Sequence, residues 1–149
     1  MTADRSHEPE TDAERARLRA LVARLSDADL ARPMPGGWTV AAVLAHAAYW
    51  DARAIYWIDR WGPDGEPTTY EDEDTDAANE AAKPLCLTIR PRDAAELALR
   101  VADEADRKVR ALSDTMLAKI AAQGGAPFDL SRANHRREHL DDIEAALRG

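Results

Sequence analysis

One cysteine, Cys86, stands among 149 residues. A lone thiol excludes an internal disulfide framework and suits a reducing compartment. No apolar run approaches the roughly 20 residues that a membrane-spanning helix needs. The opening "MTADRSHEPE" is polar and acidic and holds no apolar signal core. A cytoplasmic protein is the expectation. Glycine is scarce, at 7 residues, and β-branched residues are few, so the chain has little to build strands with. Basic residues are the minority: 20 Lys and Arg against 28 Asp and Glu, a formal charge of −8. Binding a nucleic-acid backbone or an anionic membrane requires a basic face, so neither partner is expected. No repeat of solenoid length is visible.

What the chain does have is alanine, charge and helical periodicity. Hydrophobic residues make up 45% and charged residues 32%, a globular composition. The length fits one domain with one core. Residues 1–10 read as a flexible tail and 11–149 as the domain. "TDAE" (Thr11 to Glu14) fits a capping box, followed by Leu18, Leu21, Val22 and Leu25 at helical spacing. Pro33, Pro35, Gly36 and Gly37 break this first helix. A second helix starts at the N-cap candidate Thr39 and runs to Trp61, apolar around most of its circumference, as a buried bundle helix is. "GPDGEPTTYEDEDTD" reads as a long acidic loop, and "AANEAAKPLC" as a short helical turn. A third helix starts at Pro91, with Leu97, Val101, Ala105 and Leu112 as its stripe, and extends towards Ile120, with Ser113-Asp114 as the place where it kinks or restarts. A last helix starts near Asp129 or Ser131 and ends at Arg148. "LSDADL" and "LSDTML" echo each other as similar helix ends. The expected fold is all-α, a four-helix bundle with long inter-helix loops, either up-down-up-down or with crossovers.

Four histidines exist. His7 lies in the tail. His135 and His139, in "HRREH", are one helical turn apart and about 40° apart around the axis, so their rings can meet. They border a stripe of Leu140, Ile143 and Leu147. His46 sits in "LAHAAYW" on the second helix, where a neutral ring needs a partner for each nitrogen. Three imidazoles with open positions are the ligand set of a catalytic divalent-metal site, and bundles assemble such sites from facing helices. Zinc and nickel suit imidazole, and iron is possible chemistry for it. The plainer reading keeps His135 and His139 as surface residues and His46 as a satisfied core histidine.

"GGWTVAAVLAHAAYWD", with Trp38 ahead of a helix and His46 inside it, together with the "HRREH" pair, resembles the DinB/YfiT-like four-helix proteins. Glu138 ahead of the second histidine is most similar to the ClbS/DfsB-type branch. The resemblance covers nearly the whole chain in helix order and spacing. It implies a DinB-type bundle and a metal site formed by His46, His135 and His139. It also implies chemistry on a small molecule, either thiol-dependent transfer or isomerisation, or hydrolysis that opens a strained electrophile.

On that reading a divalent ion lowers the pKa of water or of a small thiol, which becomes the nucleophile. A low-molecular-weight thiol is then a second cofactor candidate. Glu138 is the candidate general base, with a solvated helix glutamate as the alternative. Asp142, about 20° from His135 around the axis, is the candidate carboxylate behind the ligands, or plain surface charge. Tyr49, Trp50, Tyr56, Trp57 and Trp61 crowd the second helix. They read either as core and homodimer face or as a substrate pocket, with Trp50 and Trp57 as its walls and Arg53 holding an anion. Cys86, in an apolar stretch, reads as a buried inert thiol. Two further classes stay open: a non-catalytic protein that binds a small molecule or metal, and a structural dimeric bundle.

Overall fold

The computed structural model describes residues 3–69 and 74–149. Polar side chains start several of its helices. Thr39 Oγ1 accepts from the Ala42 amide ahead of α3 (Val40–Trp61), and Ser113 Oγ accepts from the Met116 amide ahead of α6 (Asp114–Ala122). Ser26 forms a capping box with Asp29 at α2 (Asp27–Leu30). Each bond satisfies an amide that the first helical turn leaves without a partner. The echo between "LSDADL" and "LSDTML" is thereby explained: both serines are N-caps of short helices. Pro91 opens α5 (Pro91–Arg110), which ends three residues before Ser113 restarts the chain as α6.

Helix α1 (Glu8–Arg24) begins three residues ahead of the capping box expected at Thr11, with Pro9 in its first turn. Its first turn takes up residues assigned to the tail. Arg5 also donates to the carbonyls of Arg110 and Leu112 at 3.2 and 2.8 Å and to Asp114 at 2.9 Å. Thr11 is buried inside the helix, and its hydroxyl accepts from the Arg132 amide. The last helix, α7 (Ala133–Arg148), starts slightly later than expected.

Ion pairs reveal the wiring. Asp12 with Arg110 and Arg19 with Asp103 run α1 antiparallel to α5. Glu14 with Arg137 and Arg17 with Asp141 run α1 parallel to α7. Asp51 with Arg132, at the start of α7, and His46 with His139 run α3 antiparallel to α7. Thus α1 and α7 point one way and α3 and α5 the other. α3 makes its most extensive contact with α5, while α1 and α3 occupy opposite corners of the bundle. The wiring is therefore of the crossover kind. Buried Ala94, Ala95, Ala98 and Ala102 on α5 face a buried run from Val40 to Ala48 on α3. Small side chains there let the two helices approach closely.

The parallel α3–α5 pair requires a return segment between them. α4 (Thr75–Thr88), longer than the expected turn, fills that role and packs along α3. It forms because Asp74 Oδ1 caps the Ala77 amide at 3.0 Å, and it continues through Pro84. The acidic loop thus ends at residue 74. Its residues 70–73, with Tyr70, lie outside the described residues. A two-residue hairpin, β1 (Pro33–Met34) with β2 (Trp38–Thr39), precedes α3. Its turn needs positive φ at Gly36 (78°) and Gly37 (81°), which glycine adopts without strain. That turn delivers Trp38 to the site below. Among the described residues, no helix is long and apolar enough to cross a membrane.

Candidate metal centre

His46 projects from the most buried part of α3 and is 5% exposed. α7 runs antiparallel beside it and brings His135 and His139, both half-buried, to the same point. Their ring centroids lie 5.3 and 4.7 Å from that of His46 and 4.4 Å from each other. One nitrogen from each ring falls within a common span of 4.8 Å. Nε2 of His135 and Nε2 of His139 are 2.9 Å apart. Two metal–nitrogen bonds of about 2.0–2.1 Å, meeting near a right angle, separate their nitrogens by about 2.9 Å. The Nδ1 atom of His46 is buried and has no hydrogen-bond partner. Leaving such an atom unpaired costs about 1–3 kcal/mol, so its presence asks for a ligand. The donor set fits a divalent ion, and small side-chain shifts bring the three nitrogens from their 4.8 Å span to the roughly 4.1 Å or less that such bonds allow.

The electrostatics keep these rings neutral, the state a metal requires. Burial pushes His46 down to about 4, helped by His139. Burial pushes His135 down to about 3, helped by His139, by His46 and by the Arg132 and Arg136 guanidiniums. Burial also lowers His139, against the opposing charges of Glu138 and Asp142. Trp38 meets His46 edge-on at 5.5 Å, and Trp50 meets both His46 and His135 at 6.4 and 6.3 Å. These indoles set apolar surface beside the rings.

Beneath the histidines lies a buried ionic network that ties four helices together. Arg136 donates to both oxygens of Asp106 at 2.7 Å and to Asp51 at 3.2 Å. Arg132 donates to Asp51 at 3.0 Å and to the Trp50 carbonyl at 3.2 Å. Arg15 of α1 reaches Asp106 at 2.8 Å. Asp51, Asp106, Arg132 and Arg136 are 2, 4, 6 and 2% exposed. Charges so deep must be paired to be tolerated.

Two chambers open onto the cluster and share His46, Asn79 and His139 as walls. The smaller, about 390 Å³, includes Trp50, Arg53 and Glu138. The larger, about 920 Å³, includes Trp38, Met34 and Asp142. The sequence-derived site residues therefore divide. Trp50 and Arg53 arrive together, with the guanidinium 4.8 Å from the Trp50 ring centre. Glu138 is exposed at the rim of the smaller chamber. Asp142 is exposed in the larger one, and among the described residues no hydrogen bond joins it to a histidine. Trp57 reaches neither chamber. It shares a helix face with Trp50 but sits about 10 Å further along the axis, packed against the apolar cluster that includes Ala54, Trp61 and Phe128. Cys86 is buried, and burial raises its thiol pKa, as an inert thiol requires.

Sequence reasoning missed the roof of the site and the ionic network. Asn79 accepts a 3.0 Å bond from Trp50 Nε1 and separates the chambers, but an asparagine in a polar stretch carries no signal of that. Arg136 did carry one. It lies about 100° from His135 around the axis, in the middle of the stripe of Leu140, Ile143 and Leu147. A cation there must be buried and must have carboxylate partners. Asp51, an acid within the apolar α3, was the complementary sign.

A helical bundle in which two antiparallel helices aim three neutral imidazoles at one point belongs to the class of proteins with a three-histidine centre between helices. The family follows from comparison with known families: the model of the DinB superfamily matches residues 10–139, and the chain belongs to it. No curated protein and no solved structure matches the chain.

Proposed function

We propose that this chain is a metal-dependent enzyme in which His46, His135 and His139 hold one divalent ion, zinc or nickel by ligand type, and which acts on a small-molecule electrophile. The observation that carries the reading is the convergence of three neutral imidazole nitrogens within 4.8 Å, one ring having a buried nitrogen without a partner. A divalent ion held there supplies Lewis acidity that makes water or a small thiol a nucleophile near neutral pH. The remaining work falls to the side chains around it. Trp38 and Trp50 exclude water from the histidine side of the chamber. Arg53, stacked on Trp50, offers positive charge to an anionic group of the substrate. Glu138, at the rim beside His135 and His139, accepts the proton that the nucleophile releases.

The reading favours the hydrolase and thiol-transferase chemistry suggested by the ClbS/DfsB-like motif. Elemental analysis of protein purified without a histidine tag tests it first, together with the melting temperature before and after adding Zn²⁺ or Ni²⁺. About one ion per chain and a rise in melting temperature are expected, and both are lost in His135→Ala. Protein that holds no metal and does not respond to either ion overturns the reading. Turnover of epoxide-like electrophiles with water or small thiols, measured against His135→Ala, tests the chemistry. Equal turnover in that variant overturns the catalytic part.

A further inference from the structure

The two chambers differ in character, and the difference points to a substrate class for the centre proposed above. The larger chamber joins an apolar wall, including Met34, Trp38 and Val43, to three carboxylates: Asp76, Glu80 and Asp142. Its lining includes no arginine or lysine. Lys83 stands at its edge, ion-paired with Glu80 at 2.8 Å and 5.6 Å from the Trp38 ring centre. That contact shows a cation resting against the Trp38 indole next to a carboxylate. Lys83 offsets Glu80, so Asp76 and Asp142 remain as net negative charge. Independently of these acids, His46 is 95% buried and lines this same chamber together with His139, so the chamber adjoins the histidine cluster.

Helix α4 explains how one site has two unlike sides. Thr75 lines the smaller chamber, Asp76 and Glu80 line the larger, and Asn79 stands between the two. A shift of one residue turns a helix by about 100°. The first turns of α4 thus form a ridge over the histidines with a different chemistry on each flank.

We infer that the larger chamber is a substrate subsite for an apolar or aromatic group bearing an ammonium or other organic cation, its charge placed between Asp76 and Asp142 and its apolar part against Trp38. This rests on the reading that the three histidines form the reactive centre. The substrate is then a hydrophobic amine whose reactive atom lies over the histidines.

The test uses the zinc-loaded full chain, with zinc content measured in every sample. Phenylalkyl amines are compared with the alcohols and carboxylates of the same skeleton by calorimetry and by quenching of tryptophan fluorescence. Amines are expected to bind more tightly than the alcohols of the same skeleton, and carboxylates to bind without any dependence on Asp76 or Asp142. Asp76→Asn and Asp142→Asn are each expected to weaken amine binding about two- to five-fold, the effect of an exposed ion pair, and to leave alcohol binding unchanged. Trp38→Phe reports contact with the apolar wall by loss of quenching. Zinc bound at full stoichiometry, with amine and alcohol binding equally, overturns the subsite and leaves the metal reading standing. Amine binding that ignores Asp76→Asn and Asp142→Asn also overturns it. Absence of zinc overturns the reading on which the subsite rests.

Discussion

Removing Arg136 should be the most damaging single change outside the apolar core. In Arg136→Met, Asp106 loses a bidentate pair at 2.7 Å, and Asp51 loses a contact at 3.2 Å. Both carboxylates are almost fully buried. Breaking one partner out of a buried pair typically costs about 3–5 kcal/mol. Each carboxylate keeps one cation here, Arg132 for Asp51 and Arg15 for Asp106, at 3.0 and 2.8 Å. The loss should therefore fall near the lower end, about 3 kcal/mol. For a domain of this length that lowers the melting temperature by about 6–12 °C. The discriminating measurement is a double-mutant cycle in urea, followed by circular dichroism, with Arg136→Met, Asp106→Leu and the two combined. Removing both charges replaces the pair by apolar surface and leaves Asp51 with Arg132. The double variant should lose less stability than the two single losses added, by about 2 kcal/mol. A loss below about 1 kcal/mol in Arg136→Met, or strict additivity in the cycle, would refute the claim that this network holds α7 in place.

Metal-free protein should lose stability on mild acidification. The unfolded histidines titrate near 6.5, while in the fold His46 and His135 are pushed down to about 4 and about 3. The unfolded chain then binds protons that the native chain refuses, so stability is full above pH 6.5 and falls as pH drops towards the folded values. Between pH 6.5 and 5 the slope should approach about 1.4 kcal/mol per pH unit for each such histidine, and a flat urea midpoint over that interval would count against the burial of these rings. Ser113→Ala should cost about 1 kcal/mol by removing the cap that restarts the chain as α6, measured by thermal melting; no change would mean that the cap is replaced by water. Ala98→Leu, at a position 1% exposed against α3, should cost about 1–3 kcal/mol by forcing the close-packed α3–α5 pair apart. An unchanged melting temperature would show slack at that interface.

The bundle was legible where one signal decided each element. Alternating turn residues, the Pro91 start and the Thr39 cap place α3 and α5 correctly, because helix termini are local decisions. The histidine trio was legible because a helical wheel fixes relative angles within α7, and the histidine in α3 sits in an apolar run where its nitrogens need partners. α4 was read short because Pro84 and the acids before it look like loop, while the Asp74 cap and packing against α3 decide in favour of helix. The wiring could not be read at all. Parallel α3 and α5 follow from pairs such as Asp12 with Arg110 and Asp51 with Arg132, which span 98 and 81 residues, and no local pattern specifies partners at that distance. Trp57 lines neither chamber for a different reason. The wheel gives angle without height, and Trp57 shares the angle of Trp50 two turns further along α3.

The ionic network and the histidine cluster share α7 for a physical reason. Apolar contacts alone tolerate small rotations of a helix, whereas Arg136 meets both Asp51 and Asp106 in a single orientation. His135 and His139 are fixed by the same orientation, since they lie on the same turns. The buried guanidiniums of Arg132 and Arg136 are paired with Asp51 and Asp106, and they still press His135 towards its neutral state. On the solvent side, Glu138 and Asp142 add negative charge that acts on His139. The core side of α7 thus fixes rotation, and the outer side supplies a field of the sign that attracts a dication. Neutralising the outer pair, as Glu138→Gln with Asp142→Asn, should weaken Zn²⁺ binding by a salt-sensitive few-fold while leaving stability nearly unchanged, because both residues are exposed. Arg136→Met should show the reverse pattern, a large loss of stability with zinc affinity lowered independently of salt. Equal salt sensitivity in the two variants would dissolve this division of labour.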